Sequence, residues 1–310
     1  MDAFNVIIPV IFMLGLGFFA RKKNILSAEH NAGLKKLIFS ILLPILVFNA
    51  AFTLSVDPKY MLLMGYMFGL QCLTLLLGFL IARVFRGEYS HVSPYLMTTI
   101  EGGNAFYPLY MSLVGAGFTS YFVLLDIPGV FMIFLVIPLL MARITATGAR
   151  TADMFKNAFT NPVIVMLLAG LILNVTGVAK RFTAAPAYPA YEALVNTATA
   201  PIAPLILFTL GYSFSIGREN LGAILKTLAV RLVLMAAGVG AAFLLFPWIL
   251  QDEALKIAVM LFLMCPPAFA APIILEKLYR RDADGAFCST YISVHMLATV
   301  IIFALMAVLV

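Results

Sequence analysis

The sequence predicts an all-α integral membrane protein, and three observations support this prediction. Of its 310 residues, 63% are hydrophobic and only 11% are charged, and the mean hydropathy is +1.05. Soluble domains average about 45–50% apolar and about 25% charged residues, so this composition excludes a water-soluble fold. The apolar runs are long and continuous, whereas strands of a membrane barrel alternate apolar and polar residues. Basic residues also recur in every second loop, as in helical membrane proteins.

Ten apolar runs are each long enough for one membrane-spanning helix, which needs about 20 residues. Charged residues or turn signals bound each run. The runs are residues 3–20, 33–54, 60–83, 93–115, 119–142, 158–177, 195–215, 226–250, 255–276 and 286–309. Because only short loops remain, the sequence has no room for a separate soluble catalytic domain.

The loops between these runs alternate in their content of Lys and Arg. One set of loops contains four basic residues, whereas the opposite set contains fifteen: Arg21, Lys22, Lys23, Lys35, Lys36, Arg83, Arg86, Arg143, Arg150, Lys156, Arg218, Lys226, Lys277, Arg280 and Arg281. Cytoplasmic loops are enriched in Lys and Arg, so the richer set is predicted to be cytoplasmic. This places the 143–157 linker in the cytoplasm and both termini outside the inner (plasma) membrane. The net charge of +6 is informative through its distribution over the loops, and no nucleic-acid motif accompanies it.

A polar linker after the fifth span predicts two five-helix repeats, at residues 1–142 and 158–310. An odd number of spans in each half requires the second repeat to be inverted, as in many secondary transporters. A weak internal match supports this prediction, because residues 43–48 and 203–208 share an apolar pattern around Pro44 and Pro204, at an offset of 160 residues.

The fourth and ninth spans are predicted to be interrupted helices, because their sequences contain helix-breaking residues. The fourth contains a polar, glycine-rich stretch at residues 101–104 before Pro108, and the ninth contains Pro266 and Pro267 before Ala268. Adjacent glycines and interior prolines interrupt helices, and the freed backbone groups must be buried or line a polar cavity. Broken helices at matching positions of two halves indicate a transporter binding site, where half-helix N-termini favour an anion. A pair of proline kinks that only shape packing is the alternative.

Five short motifs follow one another along nearly the whole chain. They are Ile8-Pro9-Val10 through Gly15-Leu16-Gly17, Leu42-Leu43-Pro44 with Phe48-Asn49, Gly103-Asn104-Ala105-Phe106 leading to Pro108-Leu109, Asn161-Pro162 with Gly170-Leu171, and Pro266-Pro267-Ala268. Their order and spacing resemble the auxin efflux carrier family, whose plant members are the PIN proteins and whose bacterial members include malonate and malate carriers.

The resemblance implies that the broken spans 4 and 9 cross and that the substrate binds at the crossing. It also implies elevator-type transport by a homodimer, with spans 1, 2, 6 and 7 as scaffold and spans 3–5 and 8–10 as the mobile part. Asn104 matches the family's crossover asparagine, and Pro108 matches the proline that follows it. One departure concerns the third span, where Gln71 replaces the acidic–basic pair expected in plant carriers. Auxin specificity and the coupling route are therefore not carried over.

Two sets of candidate site residues follow from these patterns. The substrate-binding set contains Gly103, Asn104, Pro108, Asn49, Pro266, Pro267 and Ala268. The coupling set contains Glu101, Asp126, His295 and Gln71. At about 1.5 Å per residue, the three ionisable members of the coupling set lie roughly 10–13 Å inside their spans, near the membrane midplane. Such residues usually line an ion or substrate path.

Each ionisable residue also has a structural interpretation. Glu101 can serve as a proton carrier or cation ligand, or as a neutral group bonded to unwound backbone. His295 can make an interhelical hydrogen bond, and Asp126 can accept the amides freed at a Pro128 kink. Arg231, one turn inside the eighth span, is expected to snorkel to the cytoplasmic interface, with pairing to an anionic substrate as the alternative.

The sequence therefore predicts a secondary carrier for a small organic anion, such as a mono- or dicarboxylate, with H⁺ as the possible coupling ion. A sodium-coupled symporter of the bile-acid type is the alternative, together with a channel or a non-transporting sensor of the same fold. An enzyme is not expected, because the zinc-protease, nucleophile-elbow and phosphate-loop motifs are missing from the sequence. We expect no cofactor and no bound metal. The lipid bilayer and the organic anion are the expected partners.

Overall fold

The computed structural model describes residues 3–54, 57–85, 87–102, 106–115, 118–144, 162–213, 220–269 and 271–309. The regular structure of these residues is entirely helical, and no strand occurs among them, so the predicted all-α class is confirmed. Within the described ranges, six helical stretches are long and apolar enough to cross a membrane: Ala28–Phe52, Pro58–Val84, Leu124–Met141, Tyr188–Ser213, Leu221–Leu245 and Asp282–Ala307. The prediction of a multi-pass membrane protein is also confirmed.

We number the α-helices in chain order. The first half of the chain contains α1 Ala3–Lys22, α2 Ala28–Leu37, α3 Leu43–Phe52, α4 Pro58–Phe85, α5 Ser93–Thr98, α6 Tyr107–Val114, α7 Thr119–Phe131 and α8 Ile137–Ile144. Two π-helical segments, Ile38–Leu42 and Met132–Val136, join α2 to α3 and α7 to α8 without a turn. Each of these pairs is therefore one continuous helix with a wider turn in its middle.

The second half contains α9 Pro162–Val175, α10 Val178–Thr183, α11 Tyr188–Thr199, α12 Ile202–Ser213, α13 Leu221–Leu245, α14 Glu253–Leu263, α15 Ala271–Ile274 and α16 Asp282–Leu309. Short 3₁₀ helices, Pro247–Gln251 and Leu275–Leu278, precede α14 and follow α15. Each of the ten predicted apolar runs contains helix in the structure. The fourth and ninth runs contain the longest non-helical stretches among the residues described, whereas the seventh and eighth runs have only short interruptions, at residues 200–201 and at residue 246.

Two helix pairs pack more closely than the others. Helix α1 lies along α12, and α9 lies along α3. Glycines permit this approach, because a Cβ added to Gly17 would lie 2.0 Å from the Phe208 carbonyl oxygen, and one added to Gly170 would lie 2.6 Å from the Phe48 carbonyl oxygen. Small residues at such positions let the backbones of membrane helices touch. The remaining long helices form a second group in which α4 and α14 both pack against α7.

Polar and aromatic side chains fix the two ends of this second group. At one end, Asp252 caps α14 by accepting from the Leu255 N–H (3.1 Å), and it also accepts from the Tyr121 hydroxyl (2.6 Å). At the other end, the buried carboxylate of Asp284 accepts from His91 Nε2 (2.8 Å). These contacts join loops that are far apart in the sequence, and they position the divided helices between them.

Candidate functional site

The first break, between α5 and α6, includes the described residues 99–102 and 106, and its local sequence explains why the helix stops. The hydroxyls of Thr98 and Thr99 donate back to the carbonyl oxygens of Pro94 (2.9 Å) and Tyr95 (3.2 Å). Such bonds bend helices, and Thr99 adopts an extended conformation with ψ of 147°. The glycines that follow then offer the helix no side-chain support.

Gly102 lets the first break lie directly against α14. A Cβ added to Gly102 would lie 2.2 Å from Phe262 Cε2, which is closer than any side chain can approach. The Phe262 ring is itself held edge-on against the ring of Phe122, with centroids 5.5 Å apart. Glycine is therefore required here by the close packing of two elements.

The second break, between α14 and α15, includes the described residues 264–269. Pro266 and Pro267 supply no backbone N–H, and each disfavours helical conformation in the residue before it. Beyond the break, the Tyr279 hydroxyl donates to the Pro272 carbonyl oxygen (2.8 Å). Burial raises the pKa of the Tyr279 hydroxyl, so it stays protonated and keeps this bond at physiological pH. The short helix after the break is thus tied to the loop that follows it.

The two breaks are bonded directly to each other. The Glu101 N–H donates to the Pro266 carbonyl oxygen (2.7 Å), and the Phe269 N–H donates to Glu101 Oε2 (3.0 Å). The Ala268 N–H lies 3.3 Å from Thr99 Oγ1, which accepts its hydrogen bond. Backbone groups without a helical partner cannot be left exposed to lipid. Each break therefore satisfies groups that the other break frees, and Glu101 makes two of the three bonds.

Arg231 is the buried cation of this region. Its side chain is 0% exposed, and its guanidinium donates from Nη1 to the Leu96 carbonyl oxygen and from Nη2 to the Cys265 carbonyl oxygen (3.0 Å). Helix α13 begins at Leu221, so Arg231 lies about 15 Å along it. The prediction that Arg231 snorkels to the interface is wrong, because its donors are used by carbonyls inside the protein.

The position of Arg231 also matches the electrostatics of the divided helices. Both of its acceptors lie at the C-terminal ends of half-helices, α5 and α14, where unpaired carbonyls attract a cation. Glu101, Asp126 and Arg231 all lie close enough to Cys265 to interact electrostatically with its thiol. The guanidinium Nε finds no hydrogen-bond partner among the described residues. The breaks are thus surrounded by one cation and two acidic side chains.

Gln71 and Asp126 lie beside the first break, next to Gly129. The point where a side chain on Gly129 would begin lies 3.8 Å from the Ile100 carbonyl oxygen, 3.9 Å from Asp126 Oδ1 and 3.9 Å from Gln71 Nε2. Gln71 is 0% exposed, and neither of its amide atoms has a hydrogen-bond partner within the described part of the chain. Three polar groups therefore converge on a space that a larger residue would fill.

His295 lies on α16 and reaches the second break through Thr299. The Thr299 hydroxyl donates to the Met264 carbonyl oxygen (2.6 Å) and lies 3.3 Å from His295 Nδ1. His295 is fully buried, and its Nε2 has no partner in the residues that the structure describes. Its ring packs edge-on against Tyr291, whose hydroxyl is also without a described partner. Helix α16 thus presents a polar face to the break.

Some predicted site residues lie elsewhere or outside the described residues. Asn49 is not brought to the breaks, because its Oδ1 accepts from the Tyr191 hydroxyl (2.9 Å) between α3 and α11. Gly103 and Asn104 lie outside the described residues, and the backbone of Pro108 is in the first turn of α6. Their proposed contacts with substrate stay predictions.

Sequence reasoning missed Thr99 and Thr299, which the structure brings to the breaks, and it expected Arg231 chiefly at the membrane interface. Each is polar within an apolar run, which is the one local signal that could have found them. Arg231 had a second signal, because it lies 160 residues after Gln71, the same offset that relates Pro204 to Pro44. The bonds themselves join residues that are far apart in the sequence, so no local pattern reveals them.

The arrangement can bind a charged ligand without a metal or cofactor. Unwound backbone, a buried guanidinium and two carboxylates provide donors and acceptors at one place. Among the described residues, no group of three His, Cys, Asp or Glu side chains could hold a metal ion. Breaks that line polar interiors of membrane proteins are sites where ions and substrates bind.

The chain matches the family model described as a membrane transport protein over residues 2–152, which is nearly half of its length. No curated protein matches the sequence. Together with the apolar helices, the match supports a membrane transporter. It agrees with the resemblance of the sequence motifs to the auxin efflux carrier family. That family is a transporter family, which is consistent with the expectation that the chain is not an enzyme.

Proposed function

We propose that this protein is a secondary active transporter that moves a small organic anion, such as malonate, malate or an auxin-like monocarboxylate, by alternating access. One observation supports the proposal above all others. The two breaks bond to each other through Glu101, with the buried Arg231 guanidinium bonded to a carbonyl on each side. Burying a charge inside a membrane protein costs free energy, and such charges usually mark a functional site.

The chemistry of this region suits a carboxylate. The N-terminus of α6 follows the first break, and helix N-termini present free N–H groups and a positive dipole end to an anion. Arg231 offers a donor, Nε, that has no described partner. The predicted substrate-binding residues Pro266 and Ala268 belong to the second break, and Asn104 follows Gly102 by two residues in the sequence. A few donors of the protein could thus bind a small anion, and these donors remain in place when the anion is released.

We propose two inverted five-helix repeats with spans 4 and 9 crossing. In the proposed repeats, span 1 corresponds to span 6 and span 2 corresponds to span 7. The close pair α1–α12 joins spans 1 and 7, and the close pair α9–α3 joins spans 6 and 2, so exchanging the repeats converts one pair into the other. This relation supports the repeat. These four helices pack most closely in two pairs, whereas α4–α7, α13, α14 and α16 form the second group. This division supports a scaffold of spans 1, 2, 6 and 7 beside a mobile part that moves as an elevator. A homodimer follows from the family resemblance.

The membrane orientation belongs to the same proposal. We place the protein in the inner (plasma) membrane, with the 143–157 linker in the cytoplasm and both termini outside, on the alternation of Lys and Arg between loops. The basic C-terminal end of α1 would then face the cytoplasm.

We propose that transport is coupled to protons through Glu101. Its carboxylate joins the two breaks, so a change in its charge would alter their contact directly. Sodium coupling is the second candidate, and a specific observation favours it. The Ile100 carbonyl oxygen and Asp126 Oδ1 converge beside Gly129, and oxygens of these types are ligands for hard cations. The Gln71 amide, which has no described partner, lies beside them and presents its nitrogen to the same space.

The test is transport current from proteoliposomes adsorbed to a sensor. Malonate, malate, a monocarboxylate and indole-3-acetate are applied in turn, with and without sodium and at several pH values. We expect a saturable current for one acid. Asn104→Ala should abolish it, and Glu101→Gln should remove its pH dependence while retaining the hydrogen bond from the Phe269 N–H, since the glutamine amide oxygen still accepts.

Four outcomes would contradict parts of the proposal. A current that requires sodium and is unchanged in Glu101→Gln would replace proton coupling by sodium coupling. Binding of an acid without any flux would indicate a sensor, and flux without saturation or counterflow would indicate a channel. Unchanged affinity and rate in both Asn104→Ala and Glu101→Gln would rule out the breaks as the substrate site.

A further inference from the structure

A cavity of about 550 Å³ opens between α2, the π-helical segment Met132–Val136 and α15. We call it the vestibule. Its polar lining residues are Asn31, Lys35 and Lys36, and its apolar lining includes Phe39, Phe134 and Ile274. Binding sites for small molecules have volumes of about 300–1,000 Å³ and combine mostly apolar walls with a few polar groups. The vestibule therefore has the size and lining of a site for a small anion with an apolar part.

A second, narrow cavity of about 40 Å³ continues from the vestibule toward the breaks. We call it the inner passage. Lys35 and Phe39 line both spaces, and the inner passage is otherwise lined on its polar side by Thr209, Ser213, Ser289 and Ser293. Phe269, whose N–H donates to Glu101 Oε2, also lines it. The inner passage therefore shares lining residues with the vestibule and with the second break.

Lys35 stands at the junction of the two spaces. Its Nζ donates to Ser213 Oγ (2.9 Å) on α12, which leaves its other two N–H groups to bind a ligand. Asn31, one turn before Lys35, is 5% exposed, and its Oδ1 has no hydrogen-bond partner in the described part of the chain. An amide oxygen accepts hydrogen bonds, so this buried atom points to a bound water or to a hydroxyl of a ligand, while the carboxylate itself is left to Lys35.

The small volume of the inner passage limits what can pass through it in this conformation. A volume of about 40 Å³ accommodates a few water molecules but not a dicarboxylate. Phe39, which lines both spaces, belongs to the π-helical segment Ile38–Leu42. Single π-helical turns inside helices occur frequently at functional sites. Movement of this turn relative to α15 would widen the passage.

We propose that the vestibule is the first binding site for the organic carboxylate on its way to the breaks, and that Lys35 is the residue that binds the carboxylate there. This inference rests on the proposed transport function and adds to it an access site for the anion at the basic end of the molecule. Lys35 acts on affinity and charge selectivity, whereas the groups at the breaks act on transport itself.

The first experiment compares Lys35→Gln with the wild type in the transport assay. We expect the KM for the carboxylate to rise about tenfold, as expected for loss of one charge-assisted hydrogen bond, while the maximal current changes less than about twofold. The matched control is Lys23→Gln, which removes the same charge near the same end but lines neither cavity. Lys35→Arg, which retains the charge, should stay within about threefold of the wild type.

A second experiment does not depend on transport. Ala32 lines the vestibule and is exposed, so Ala32→Cys places a thiol there. An anionic thiol reagent should modify this cysteine faster than a cationic reagent, and Lys35→Gln should reverse that order. Saturating carboxylate should slow the reaction in the protein that retains Lys35.

These outcomes separate the inference from the proposed function. If no acid produces current but the reagent preference holds, the vestibule still binds anions and the transport proposal fails. If the wild type transports an acid and Lys35→Gln leaves its KM unchanged, the inference fails alone. A KM shift that appears only in vesicles containing anionic phospholipid would assign Lys35 to a lipid headgroup and would also overturn the inference.

Discussion

Replacement of Arg231 by methionine should destabilise the contact between the two breaks. The substitution keeps much of the side-chain volume and removes both donors, so the carbonyl oxygens of Leu96 and Cys265 lose their partners. A buried polar group left without a partner costs about 1–3 kcal/mol, which gives about 2–6 kcal/mol for the two. Relief from burying the guanidinium offsets part of this cost. We expect the free energy of unfolding to fall by at least about 2 kcal/mol.

The conservative variant Arg231→Lys distinguishes bonding geometry from charge. Lysine retains the positive charge, but its single ammonium group is less suited than the forked guanidinium to reach two carbonyls on different elements. Its stability should lie between those of the wild type and Arg231→Met. The control is Lys226→Met on the same helix, where the side chain is exposed and little change is expected.

The assay uses the protein's own thiols. Cys265 and Cys288 are buried and Cys72 is partly buried, so a maleimide dye reacts with the first two as the protein unfolds on heating in detergent. Arg231→Met should lower the temperature of this reaction by several degrees and should expose Cys265 first. Equal unfolding temperatures for wild type, Arg231→Met and Arg231→Lys would show that the guanidinium does not join the two breaks.

Two further predictions concern residues whose close contacts are visible in the structure. Gly102→Ala places a Cβ 2.2 Å from Phe262 Cε2, so it should lower the free energy of unfolding by about 1–3 kcal/mol and reduce transport. Adding Phe262→Leu to this variant should restore part of the stability and part of the transport. Gly222→Ala is the control and should have little effect, because a Cβ there has nothing within 4 Å. Asn174→Ala removes three hydrogen bonds from Nδ2 to carbonyl oxygens at the end of α3 and just beyond it. It should lower the unfolding temperature without changing the KM, and a changed KM would place Asn174 in the substrate path.

The sequence alone determined the membrane class and the positions of the helices. Hydropathy and the spacing of charged residues are local properties, and each of the ten predicted runs contains helix in the structure. The two breaks were also predictable, because Gly102 and the Pro266–Pro267 pair change the backbone at their own positions. The family followed from short motifs and is supported by the family match.

The tertiary structure decided which side chains meet. Glu101 was predicted to lie beside a break, but its partners, Pro266 and Phe269, lie far away along the chain. Arg231 was expected at the membrane interface and instead lies buried between the breaks, whereas Asn49 was expected at the substrate site and bonds to Tyr191.

The physical reason for this division is the range of each interaction. A helix forms or ends through contacts within about four residues, so a local sequence specifies it. Arg231 is held by carbonyls of α5 and of the second break, and such long-range bonds depend on how the helices pack. The vestibule beside Lys35 likewise exists only because α2, the Met132–Val136 segment and α15 come together in the folded protein. The sequence therefore specified the elements, and their packing created the site.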